Sequence, residues 1–268
     1  MAREISPGIH WLQELGPDQR DNFELRDEPP SWCTPGDTVH IPQCAYLLVG
    51  SDRTLLFDTL SPASTEKLKD EVSSILGDRS LDYVVVSHPD IPHAGNAIEM
   101  LREYPKAELV GPGYGNDHEL YHLDDAMKVV EGDTIDLGDL AVEFHEAAFL
   151  DAPVFVWMTE RTTETLFPVD WMGFPHLSED ELNFVDEAHH DVGVEQLLHF
   201  HARVLFWHKY VDVEKVQREI DNLIEKYNPS MIAPAHGLVI REDAVEYMEK
   251  MKDVVARIQQ TGRLGIIG

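Results

Sequence analysis

The chain has 268 residues with 50 acidic against 21 basic side chains, a net charge of −29 and a hydrophobic fraction of 43 %. That size supports a large core in one α/β domain, and with no basic run to replace counterions, binding to nucleic acid or anionic lipid is excluded. Two cysteines, Cys33 and Cys44, without C-x-x-C spacing, exclude a disulfide framework and read as ordinary thiols of a reducing compartment.

In chain order, the apolar runs "CAYLLVG" and "TLLFDTL", split by "SDR", predict a β-hairpin. "STEKLKDEVSSILGD" predicts a helix with a Ser/Thr cap, Leu68, Val72, Ile75 and Leu76 on one stripe, and a glycine stop. "LDYVVVS" reads as a buried strand that ends in "SHPDIPHAGN", residues 87–96. A helix, "AGNAIEMLREYP", and a strand, "AELVGP", follow. This β-α-β-turn-α-β order puts His88 at a strand's carboxyl end and His93 near a helix start, where open α/β sheets place ligands.

The segment "MKVVEGDTIDLGDLAVEFHEAA" predicts short strands with glycine turns; "VFVWMTE" and "TETLFPVD" predict a further strand pair ending at Asp170. "VEQLLHFHARVLFWHKY" reads as a helix, and residues 213–227 as an amphipathic helix with Val213, Val216, Ile220, Leu223, Ile224 and Tyr227 on one stripe. "SMIAPAHG" is a strand entering a loop at His236, and a last helix starts near Glu242. Strands and helices in two similar halves point to a four-layer αββα sandwich, a single domain over 1–268.

Four of these loops follow a strand and carry ligand-type residues: His88, Asp90 and His93 on one, then Asp151, Asp170 and His236. Three imidazoles and three carboxylates make an oxygen-rich set, suited to iron or manganese rather than to the sulfur-rich sites of structural zinc. Asp170, alone on its loop, is the natural bridge between two ions. His199 and His201 have i, i+2 spacing, which on a helix does not put them face to face, so they read as a packed pair. His189 and His190, in an acidic stretch, read as solvated. His176, six residues past Asp170, is a candidate hydrogen-bond donor or gate over the metals. Trp157, Trp171 and Phe174 read as core before they read as the wall of a gas pocket. There is no G-x-S-x-G, no P-loop and no dinucleotide fingerprint.

Acidic pairs such as Asp124-Asp125, Asp180-Glu181 and Asp186-Glu187 are dispersed along the chain, and lysine is scarce. Such a surface suits molar salt, where charges are screened over about 3 Å. The N-terminus has no apolar leader and no 18-residue apolar run occurs, so a cytoplasmic location is expected.

These segments resemble the metallo-β-lactamase superfamily, and within it the diiron domain of flavodiiron proteins and their stand-alone oxygen-binding relatives. "ISPGIHWLQE" resembles the family's opening strand pair and Asp58 its early aspartate. "SHPDIPHAGN" is similar to its metal loop, which in the flavodiiron branch reads H-x-E-x-D-H. "FLDAPVF", "LFPVDWMG" and "IAPAHGLVIR" resemble its later ligand segments. The resemblance implies His88 and Asp90 on one metal, His93 and His236 on the other, and Asp170 bridging. Asp90 is one methylene shorter than the family's glutamate, Pro92 replaces a ligand aspartate, and Asp151 falls where the family has a histidine, with His145 as a nearby alternative. It further implies two metal ions, iron with zinc or manganese as alternatives, and a protein that binds or reduces O2 or NO. With no flavodoxin segment following, reduction needs a separate electron donor; a homodimer is expected. The alternatives are a metal-dependent hydrolase of an ester, thioester, lactone or phosphodiester, disfavoured by Pro92, and a non-catalytic member of the fold.

Overall fold

The structure is a computed structural model that describes residues 2–15, 32–33, 37–113 and 126–261. Its strands begin with β1 (Arg3–Ser6), β2 (Ile9–Glu14), β3 (Val39–His40), β4 (Gln43–Val49) and β5 (Thr54–Phe57). Helix α1 (Thr65–Leu76), β6 (Tyr83–Val85), α2 (Ile91–Ala94), α3 (Ala97–Glu103), β7 (Glu108–Pro112) and β8 (Met127–Val129) follow. Next come β9 (Thr134–Asp136), β10 (Ala141–Glu146), β11 (Val156–Glu160), β12 (Thr165–Phe167) and β13 (His176–Leu177). The chain finishes with α4 (Val194–Val204), α5 (Val213–Tyr227), β14 (Met231–Ile232) and α6 (Ala244–Thr261). Two compact units divide it: Met1–Glu14 with Gln43–Thr163, and Leu15–Pro42 with Glu164–Gly268. The acidic pair Asp124-Asp125 lies outside the described residues.

In the first unit one sheet runs β1-β2-β4-β5-β6-β7-β8. The first four strands pair antiparallel, through the expected hairpin of β4 and β5, and β5 to β8 pair parallel. Period-two alternation sends Ala45 and Leu47 of β4 and Leu56 of β5 to one face, where Leu68, Val72 and Leu76 of α1 and Met100 of α3 complete a core. All four residues of β5 are buried, as both-sided coverage requires, which is why it reads as a continuous apolar run. The sheet's other face receives Cys44, Tyr46 and Phe57, all buried. Helix α1 ends where the glycine predicts, at Gly77 with φ 58°. Strands β9, β10 and β11 form a separate antiparallel set in the same unit.

In the second unit β12 and β14 pair parallel, and β3 pairs antiparallel with β13. Helix α5 covers the predicted span, opened by Asp212, whose carboxylate accepts from Lys215 N, and closed by Asn228 in the left-handed region. Val216, Ile220 and Leu223 on its stripe are buried, each contributing about 1.5–3 kcal/mol. Helix α6 buries Met248, Met251, Val255 and Ile258 at the same spacing. Among the described residues no helix is long and apolar enough to cross a membrane.

Candidate metal centre

Register builds the first ligand cluster. Phe57 of β5 pairs with Val85 of β6 in parallel, so the residues after each strand emerge side by side, and Asp58 N donates to Val85 O at 2.8 Å. Asp58 adopts φ 62°, a left-handed conformation that turns its carboxylate onto the neighbouring loop. Its Oδ1 accepts from Ser87 N at 2.9 Å, and its Oδ2 from Ser87 Oγ at 3.0 Å and from His93 Nδ1 at 2.7 Å. A carboxylate only accepts, so the His93 proton sits on Nδ1 and Nε2 presents a lone pair, the arrangement of carboxylate–histidine–metal sites.

The loop between Ser87 and Asn96 is held at both ends. Asp90 opens the four-residue α2, and Pro92 lies in its first turn, where a ring with fixed φ and no N–H fits best. His93 is therefore inside this short helix, not near the start of the longer one that the sequence suggests. A Cβ on Gly95 would come within 2.6 Å of the carbonyls of Ile91 and Leu60, so no larger residue fits there. Buried Asn96 donates through Nδ2 to the carbonyls of Thr59, Leu60 and Ser61 at 2.7, 3.1 and 2.8 Å.

His88 is fully buried, and its Nε2 lies 3.9 Å from Asp90 Oδ2 and 3.8 Å from Asp151 Oδ1. The loop that carries Asp151 leads into β11, and Val156 N donates to Ser87 O at 3.0 Å, drawing the two loops together. Asp151 is exposed as a residue while its side chain, only 20 % exposed, turns inward. One donor atom each from His88, Asp90 and Asp151 falls within 4.8 Å of the others. These spacings are too long for hydrogen bonds, but donors about 2.1 Å from a shared ion stand up to about 4.2 Å apart. An imidazole and two carboxylates at that spacing fit a hard or borderline cation. The His93 ring lies against that of His88, centroids 4.0 Å apart and planes tilted by 42°.

A second cluster lies in the other unit. Parallel pairing of β12 with β14 continues past both strands, with Ala233 N on Leu166 O and Ala235 N on Val169 O. Asp170 and His236 thus emerge together at the carboxyl ends, His236 Nε2 lying 3.1 Å from Asp170 Oδ1. His236 Nδ1 donates to Pro42 O at 2.6 Å, which leaves Nε2 as a lone pair facing a carboxylate oxygen. Two acceptors at that distance repel unless they share a cation, either a metal ion or a proton. The backbone bends sharply here: Val169 has φ 57° and Met172 φ 72°. A β-branched residue in the left-handed region is an outlier of the kind that functional loops carry. Gly237, at φ 121°, supplies a conformation that other residues resist.

The sequence profile of the metallo-beta-lactamase superfamily matches residues 41–194, more than half of the chain. The chain belongs to the metallo-beta-lactamase superfamily. A nitric oxide reductase from Moorella thermoacetica is 27 % identical over 254 residues, 91 % of this chain and 59 % of that protein. An anaerobic nitric oxide reductase flavorubredoxin from Salmonella typhi is 25 % identical, over 93 % of this chain and half of that one. Among solved structures, rubredoxin oxygen:oxidoreductase from Desulfovibrio gigas superposes with a TM-score of 0.72 at 19 % identity, covering 97 % of this chain and 61 % of that chain. A 1–254 fragment of a diflavin flavoprotein from Nostoc superposes at 0.69 with 14 % identity, over 98 % and 97 % of the two chains. The fold is thus the α/β metallo-β-lactamase fold, and the flavodiiron protein from Giardia intestinalis matches it over 96 % of this chain with a TM-score of 0.71 at 17 % identity; the chain spans about 60 % of the first curated relatives' length.

The other histidines that the sequence singles out have partners of their own. His145 lies in β10, its Nε2 2.8 Å from Thr159 Oγ1 and its Nδ1 3.3 Å from Glu131 Oε1, so both nitrogens have local partners. His176, in β13, is fully buried and donates from Nδ1 to Leu177 O at 2.7 Å; burial lowers its pKa to about 4. Of the two histidines expected to be solvated, His189 is exposed, with 58 % of its side chain open to solvent, whereas His190 is not. His189 Nδ1 lies 2.6 Å from Oδ1 of buried Asp180, and His190, its side chain 14 % exposed, stacks on Trp32 at 5.8 Å. An acidic stretch in the sequence does not reveal that one of its carboxylates, Asp180, is buried and sits against both rings, the exposed His189 and the inward His190. His199 and His201 are both buried, as a packed pair should be. His201 also has a role that spacing could not show: Nδ1 donates to Leu197 O and Nε2 accepts from Met172 N at 3.2 Å, bracing the Asp170 loop. Trp157, Trp171 and Phe174 are fully buried core.

Proposed function

We propose that this chain is the metal-binding core of an oxidoreductase that binds or reduces a small diatomic, O2 or NO, at two metal ions. The ligands in this reading are His88, Asp90, His93, Asp151, Asp170 and His236, with Asp170 bridging and iron as the metal. The observation that carries it is the carboxylate pair facing His88: Asp90 and Asp151 stand 3.9 and 3.8 Å from Nε2. Oxygen donors accommodate iron in both of its common oxidation states, whereas structural zinc draws on thiolates. When bound, the ions supply the electron transfer and Lewis acidity that diatomic reduction needs.

The protein's part is positional. Asp58 holds His93 with Nε2 open, Pro42 O does the same for His236, and Phe155, stacked on His88 with ring centroids 4.3 Å apart, shields one ring face from water. Electrons come from a separate donor, in keeping with the names of two similar proteins, a flavorubredoxin and a rubredoxin oxygen:oxidoreductase. The test is anaerobic loading with Fe(II), followed by O2 and NO consumption with a chemical reductant. Consumption of either gas that disappears in Asp170→Ala supports the reading. Inert iron protein, together with turnover of ester or thioester substrates by a zinc-loaded form, would replace it with hydrolysis.

A further inference from the structure

Building on the assignment of His88 and His93 as metal ligands, we propose that Ser87 is a positioning residue that sets which nitrogen of His88 is offered to the metal. The hydroxyl has one proton and two neighbours, Asp58 Oδ2 at 3.0 Å and His88 Nδ1 at 3.1 Å. Asp58 only accepts, so the Ser87 proton points to it; otherwise two lone pairs would face each other in a fully buried site. With its proton committed, Ser87 Oγ can only accept from His88. The imidazole proton is therefore held on Nδ1, and Nε2 faces Asp90 and Asp151 as a lone pair.

Packing alone does not make this choice. Phe155 stacks on the His88 ring at 4.3 Å and His93 packs against it, tilted, at 4.0 Å, which fixes its plane but not the position of its proton. The nearby carboxylates of Asp90 and Asp151 favour the opposite tautomer, because a proton on Nε2 would point at them. Ser87 opposes that preference. One buried carboxylate thus prepares two histidines by separable routes: His93 by direct contact, and His88 only through the serine.

Separability makes the proposal testable on the full chain. Co(II) titration by calorimetry would be run on wild type, Ser87→Ala, Ser87→Thr and Asp58→Asn, with 15N NMR of the histidine rings in metal-free protein. In Ser87→Ala one of the two Co(II) sites should weaken about 10- to 100-fold while the other stays within about twofold. The His88 proton should move from Nδ1 to Nε2 while His93 keeps its own on Nδ1. Ser87→Thr, which restores a hydroxyl, should recover both, and Asp58→Asn should weaken both sites. Equal weakening of the two sites in Ser87→Ala, or an unchanged His88 tautomer, would overturn the proposal. If wild type binds no Co(II), the metal assignment fails, and the NMR comparison still decides whether Ser87 sets the tautomer.

Discussion

At the scale of single residues, the site depends on side chains that the sequence does not mark. The ligand types are legible because chemistry restricts them: only a few residues bind iron, and they follow strands. Asp58, visible as an early aspartate, shows nothing in sequence of its three accepted hydrogen bonds, because its partners lie 29 and 35 positions away. Asn96 is less legible still, an ordinary loop residue whose amide is bonded to three consecutive carbonyls 35 to 37 positions earlier. Truncation to Asn96→Ala strands these carbonyls in a buried site and is expected to cost about 2–4 kcal/mol. Urea denaturation checks it: a midpoint unchanged from wild type would mean that the amide is not the clasp of the metal loop.

At the scale of elements, legibility follows length and periodicity. Helix α5 was readable end to end, because fifteen residues display a stripe, a cap and a stop. Helix α2, four residues long, is too short to show a period, and Pro92 reads there as a lost ligand until its place in the first turn gives it a structural reason. Helix α4 and the turn after it bury three imidazoles, His199, His201 and His208. Burial lowers His201 to about 4, and burial together with the neighbouring His201 lowers His208 to about 3. Both lie below the ordinary value near 6.5, so the unfolded chain takes up protons first as pH falls. Their effect on stability is absent above about pH 6.5 and grows destabilising as pH drops toward about 3 to 4. His208→Leu should therefore lose less stability than wild type between pH 7 and pH 5 in urea titrations. Parallel losses in the two proteins would show that His208 does not drive the acid sensitivity.

At the scale of the molecule, charge is the dominant feature. Several surface cations are already engaged, Lys67 with Glu14, Lys250 with Glu246 and Arg241 with Asp186, yet 50 acids against 21 bases leave −29. Exposed pairs of this kind contribute little, so the excess repels itself wherever salt does not screen it. Thermal unfolding should shift to markedly lower temperature as salt falls below about 1 M, where the screening length exceeds about 3 Å; a melting temperature independent of salt would remove the halophilic reading. Fold class was legible at this scale because strand and helix patterns alternate along the chain. The division into two units was not, since Leu15–Pro42 leaves the first half of the sequence to join the second unit, and no local pattern announces such a crossing. What the histidine–carboxylate clusters do rests on whether they hold metal. Elemental analysis of protein purified anaerobically in high salt, beside His88→Ala, tests it most directly. Close to two irons per chain are expected, with a clear loss in the variant. Wild type without stoichiometric metal, or a variant that retains the full complement, would contradict the metal assignment.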